Sequence, residues 1–257
     1  MKTTLHDYGL FAGLIAAALI TAGCESSHPV CCAMPGSPCA AMVAAASQVQ
    51  TKASQTAMTP QQALAELRNG NARFVAGQPL VRNLPAQVKA TADGQYPFAV
   101  VLSCLDSRQP IEIVLDQGLG DIFSARVAGN VLDDDILGSM EFACKVSGAK
   151  LIAVIGHSNC GAIKGAVDNV ELGNLTGLLT KIKPAMDAVP AGVQPRTTKN
   201  YAFVEDVSEA NVKLVMKEIR ERSPILHEML DTRQIELIGG MYDLTTGKVQ
   251  FYDTPAN

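Results

Sequence analysis

The chain contains no tryptophan, and aromatic residues make up only 5% of it, too few for a surface that binds nucleic acid by stacking bases on exposed rings. It has no lysine- or arginine-rich run, and its net charge of −4 offers no basic face to a phosphate backbone. These absences exclude nucleic acid as a partner. No uninterrupted apolar stretch reaches the about 18–20 residues of a membrane span. An even disulfide framework is also missing: the seven cysteines are an odd number in a chain of 257 residues, long enough to build a core without staples. What is present is hydrophobic content of 47%, with 21 Gly and 13 Pro to punctuate it. That composition predicts a packed, turn-rich domain rather than disorder.

The cysteines fall in two groups, Cys24, Cys31, Cys32 and Cys39, then Cys104, Cys144 and Cys160. Lys2 precedes an uncharged apolar run over residues 8–23, the pattern of a signal peptide. The run ends in Thr21-Ala22-Gly23-Cys24, which resembles the lipobox of bacterial lipoproteins, where small residues precede a cysteine that is lipidated. The resemblance implies removal of residues 1–23, lipidation at Cys24, and an exported protein held by its lipid on the periplasmic side of a bacterial membrane. A soluble periplasmic protein is the alternative. Residues 24–58 are rich in Ser, Ala and Pro, a flexible tether by composition. Cys31, Cys32 and Cys39 with His28 make a poor zinc set, because adjacent cysteines are awkward ligands.

The remainder, residues 59–257, reads as one α/β domain. Thr59-Pro60 starts a helix that continues to about residue 74. Short apolar runs at 97–102, 121–127, 151–155 and 235–241 predict strands covered on both faces. Helical patterns at 109–117, 134–146, 172–186, 207–222 and 224–230 separate them. This alternation predicts a mainly parallel sheet flanked by helices, and 248–252, after a Thr246-Gly247 turn, adds an antiparallel edge strand. Asp133-Asp134-Asp135 is expected to cap the helix that follows, Cys144 to be a core thiol, and Glu205-Asp206 to lie on a solvated helix face.

In a parallel sheet, ligands gather beyond the C-terminal strand ends. The first strand ends in Cys104-Leu105-Asp106-Ser107-Arg108, and the third in Gly156-His157-Ser158-Asn159-Cys160-Gly161. A lone His-x-x-Cys is usually chance, and one cysteine at a strand end is usually a small apolar residue. Together on one rim, Cys104, His157 and Cys160 form a three-ligand Cys₂His set that leaves a fourth tetrahedral position open, the pattern of catalytic zinc. Asp106 and Arg108 supply a charged pair beside it.

The segments 104–108 (CLDSR), 126–130 (RVAGN) and 156–162 (GHSNCGA) resemble the three signature segments of the β-class carbonic anhydrases, and residues 59–74 resemble that family's N-terminal helix. The resemblance spans about residues 59–245. It implies one Zn²⁺ per subunit on Cys104, His157 and Cys160, and reversible hydration of CO₂ to bicarbonate and a proton. Asp106 would orient the attacking water and Arg108 would hold Asp106. It also implies a homodimer or higher homo-oligomer with sites near the subunit interface, and substrate contacts from Gln95, Phe123 and Gly161. Phe142 stands where many members have Tyr, and Leu105 where Ser is commoner, read as a packing change. A non-catalytic zinc- or bicarbonate-binding homologue, a CS₂-type hydrolase on the same fold, and a thiol redox protein using Cys104 and Cys160 are the competing readings.

Overall fold

A computed structural model describes residues 48–252. The expected tether reached residue 58, but its last stretch is a helix, α1 (Lys52–Ala57), closed at its start by a capping box between Thr51 and Ser54. It is anchored because Gln55 is buried and its amide donates to Pro97 O at 2.7 Å and Ser147 O at 2.8 Å. Next comes α2 (Pro60–Val75), begun by Thr59 and Pro60 as expected. A further helix that the sequence reading did not foresee is α3 (Leu84–Ala90), capped by Asn83 with Pro in its first turn.

Five strands follow: β1 (Ala99–Ser103), β2 (Ile122–Arg126), β3 (Leu151–His157), β4 (Glu236–Tyr242) and β5 (Val249–Phe251). Their order is β2-β1-β3-β4-β5; the first four run parallel, and β5 pairs antiparallel with β4. β1 and β3 are buried throughout. β2 is an edge strand, only partly covered in this chain, which corrects its reading as a strand buried on both faces.

Side chains alternate across the sheet. Val100, Leu102, Ile152, Val154 and Leu237 face one layer, formed by α5 (Asp134–Glu141) with its π-turn continuation Phe142–Val146, α9 (Tyr201–Arg222) and α10 (Pro224–Asp231). Ala99, Val101, Ala153, Ile155 and Ile238 face the other, where α2 and the short α4 (Ile111–Val114) pack. Asp133 caps α5 through Ile136 N at 2.9 Å, and Cys144 is buried, its thiol pushed up to about 12 by desolvation. The single helix expected over 172–186 is two, α7 (Gly173–Thr180) and α8 (Lys183–Ala188), with Pro184 in the first turn of the second. α6 (Gly161–Val167) follows β3 directly.

Among the described residues, no helix is long and apolar enough to cross a membrane. The apolar run 8–23, Cys24, Cys31, Cys32 and Cys39 lie outside the described residues.

Candidate metal centre

β1 and β3 are direct neighbours with Ser103 opposite Ile155. Cys104, the residue after β1, and His157, the last of β3, therefore emerge side by side at the C-terminal edge. The chain then turns through Asn159, which holds a left-handed φ of 55°, and brings Cys160 to the start of α6. The ligand atoms of Cys104, His157 and Cys160 all lie within 4.8 Å of one another. Both cysteines belong to an apolar cluster with Ile163, Leu179, Ile182, Phe203 and Val207. Solvent reaches almost none of it: exposures are 4%, 1% and 2% for Cys104, His157 and Cys160.

His157 Nδ1 lies 2.9 Å from Ser158 O, so Nδ1–H donates to that carbonyl. The lone pair then sits on Nε2, which is buried without a hydrogen-bond partner. A buried acceptor left unpaired costs about 1–3 kcal/mol, and here it stands beside two sulfurs. Two soft thiolate ligands and one imidazole whose other nitrogen is tied to a carbonyl fit Zn²⁺ in ligand type, number and outer bonding. The Cys160 thiol beside it, and the Gly129 N–H at 3.3 Å, hold Cys104 well below the usual thiol range, while the same pairing and burial push Cys160 up.

Arg108 grips Asp106 with a fork, Nε to Oδ1 at 2.9 Å and Nη2 to Oδ2 at 2.7 Å, and its backbone N–H adds a third bond to Oδ1 at 2.9 Å. Arg108 therefore holds the Asp106 carboxyl far below the ordinary range, ionised at any working pH. Asp106 Oδ2 stands 3.8 Å from His157 Nε2, so this carboxylate overlooks the ligand set.

The RVAGN segment buttresses that edge. Arg126, at the end of β2, donates to Cys104 O at 3.1 Å and to Asp106 O at 2.6 Å. Gly129 turns with φ 65°, and a Cβ there would lie 3.0 Å from Ile182 Cδ1 and 3.2 Å from Ala162 Cβ. The left-handed conformation favours glycine, and a larger residue would also press on Ile182 and Ala162. Glu205 corrects the reading of a solvated face: it is half-buried and accepts Asn159 N–H at 2.8 Å, bracing the turn between His157 and Cys160. Burial raises its carboxyl. Only its place directly after the buried Phe203 and Val204, and one turn before the buried Ser208, could have signalled this.

The other candidates are not gathered at the centre. Gln95 is exposed ahead of β1, at the opposite end of the strand from Cys104, so within this chain it does not reach the site. Phe123 pairs with Val100, well back from the strand end, and its ring meets Phe142 edge-on with centroids 6.3 Å apart. Gly161 adjoins Cys160 at the exposed start of α6, where a Cβ would meet nothing within 4 Å. Leu105 is 57% exposed and so is not a packing change within this chain.

Comparison with known proteins agrees with this geometry. The family model described as "Carbonic anhydrase" matches residues 99–249. The chain is 34% identical to carbonic anhydrase 2 of Mycobacterium tuberculosis over 192 residues, covering 74% of this chain and 92% of that protein. Its structure is similar to that of the β-carbonic anhydrase CafA of Aspergillus fumigatus, with TM-score 0.60 and 27% identity over 75% of this chain and 90% of that one. It is also similar to a tetrameric β-carbonic anhydrase of Sordaria macrospora, with TM-score 0.59 and 25% identity over 77% and 98% of the respective chains.

Proposed function

The chain belongs to the carbonic anhydrase family, in its β class, and from that premise we propose that it catalyses the reversible hydration of CO₂ to bicarbonate and a proton. The observation that carries the reading is the buried Cys104–His157–Cys160 set, with the free lone pair of His157 Nε2 beneath an Arg108-locked Asp106. Zinc, when bound, supplies the Lewis acidity that brings the ionisation of a water to about neutral pH. Cys104 and Cys160 place more negative charge at the centre than imidazoles would. That charge weakens the activation of water, and Asp106 compensates by accepting a hydrogen bond from the attacking water, which aims the water's lone pair at the CO₂ carbon. Arg108 occupies both Asp106 oxygens, keeping the carboxylate ionised, oriented, and restrained from moving in among the ligands.

Replacing Asp106 by Asn keeps the size and removes the charge. Zinc content should stay at wild-type level, and stopped-flow CO₂ hydration should fall by about 10²-fold, the usual loss for an orienting proton acceptor. Near wild-type turnover at full zinc occupancy would overturn the mechanism.

We further propose that the protein works as a homodimer or larger assembly. Among the described residues the outer edge of β2 has no strand partner, and Phe142 beside it is 50% exposed; the Sordaria relative is tetrameric. Sedimentation at the mass of one chain would contradict this. For location, the proposal is export and lipid anchoring at Cys24, supported by the apolar run and small residues before it. Cys24→Ser should move the protein from the membrane to the soluble fraction, and unchanged membrane association would sink the idea.

A further inference from the structure

Asn211 lies on α9, outside all three signature segments, and its side chain is 1% exposed. Its Nδ2 donates to Gly129 O at 2.8 Å across 82 residues of sequence, while its Oδ1 is buried without a partner. A half-satisfied amide in this position, next to the buried Val212, serves folding less well than an apolar side chain filling the same space. Its one bond falls on the residue whose N–H donates to Cys104 Sγ at 3.3 Å. Gly129, at φ 65° and ψ 19°, has no side chain to fix its own rotation, and the peptide on its far side is held at both ends: Asn130 N–H donates to Val127 O at 2.9 Å, and Gly129 O accepts from Asn211. Ile182 and Ala162 limit the space around Gly129 without supplying a hydrogen bond.

We propose that Asn211 is a positioning residue for the metal thiolate: by anchoring Gly129 O it keeps Gly129 N–H on Cys104 Sγ and so limits how much charge that sulfur donates to the metal. The proposal rests on the zinc reading above. An N–H···S bond stabilises the sulfur lone pair and fixes the sulfur in place; losing it lowers the energy of charge transfer from the thiolate to the metal and leaves the sulfur less well placed to ligate, which weakens binding. Outer bonds of this kind typically change metal affinity by about 10- to 100-fold.

The test uses the full-length protein loaded with cobalt(II). Wild type should show a thiolate-to-cobalt charge-transfer band; its absence would count against the zinc reading itself, separately from this proposal. In Asn211→Leu the band should move to longer wavelength and zinc should bind about 10-fold more weakly. Ser208→Ala removes another buried polar group of α9, one bonded only to Val204 O of its own helix, and should leave both readings unchanged. A folded Asn211→Leu protein with wild-type band and affinity overturns the proposal, as does an equal shift in Ser208→Ala. If Asn211→Leu does not fold, Asn211→Ala carries the same comparison. On wild type, a scalar coupling between the Gly129 amide nitrogen and ¹¹³Cd in the cadmium-loaded protein is expected across the hydrogen bond, and its absence would equally overturn the proposal.

Discussion

Asp116 holds a left-handed φ of 47° and is 4% exposed, yet it is a carboxylate. Burial alone would raise its pKa. Arg73 at 2.5 Å, Arg82, and Leu80 N–H at 3.2 Å outweigh burial and hold it below the ordinary range. A carboxyl depressed in the folded state stabilises in full above its unfolded value of about 3.9, and that contribution is lost as pH falls toward the folded value. Asp116→Asn should therefore cost about 3 kcal/mol near neutral pH, with the gap to wild type narrowing below about pH 4. Thermal unfolding across that range checks it, and a gap that stays constant with pH would contradict the ionic account. Residues of this kind were only partly legible in the sequence. Cys104, His157, Cys160, Asp106 and Arg108 could be read because few residue types bind zinc or lock a carboxylate, and they end two neighbouring strands. Glu205 and Asn211 could not, because their roles depend on which turn a distant helix happens to touch.

At the scale of elements, α2 is seated on the sheet through two neighbouring residues. A Cβ on Gly70 would come within 1.8 Å of Leu115 O, so the helix backbone and the end of α4 are in direct contact there. Asn71 beside it donates to Val114 O at 3.0 Å and Gly247 O at 2.9 Å, and accepts Val249 N–H at 2.7 Å, tying α2 to β5. Gly70→Ala must push these elements apart and should lower stability by about 3 kcal/mol, the upper range for overpacking. Urea denaturation of the two proteins is the check; an unchanged midpoint would mean that α2 is not seated this way. The Gly70-Asn71 pair was visible in the sequence only as a resemblance, since a glycine in a helix gives no hint of what it lies against. The strands were legible from their apolar runs. The division between α7 and α8 was blurred because apolar spacing continues through it, although Pro184 marked the place. β2 misled for another reason: its apolar texture predicts cover on both faces, and the described residues do not supply it.

For the molecule as a whole, the parallel sheet aligns two strand ends, and three helices fix what those ends carry. α6 begins at Cys160, and α9 reaches both turns of the centre through Glu205 and Asn211. α8, with the segment leading into it, lays Ile182 against Gly129. On the proposed function, this arrangement holds one zinc on Cys104, His157 and Cys160, and CO₂ hydration depends on it. The most direct measurement is zinc content together with stopped-flow CO₂ hydration on purified wild type, Cys104→Ala, His157→Ala and Cys160→Ala. Wild type should carry one zinc per chain and be active, and each variant should lose most of its zinc and its activity with it, because two ligands do not hold a tetrahedral ion tightly. Stoichiometric zinc and wild-type turnover in all three variants would contradict it.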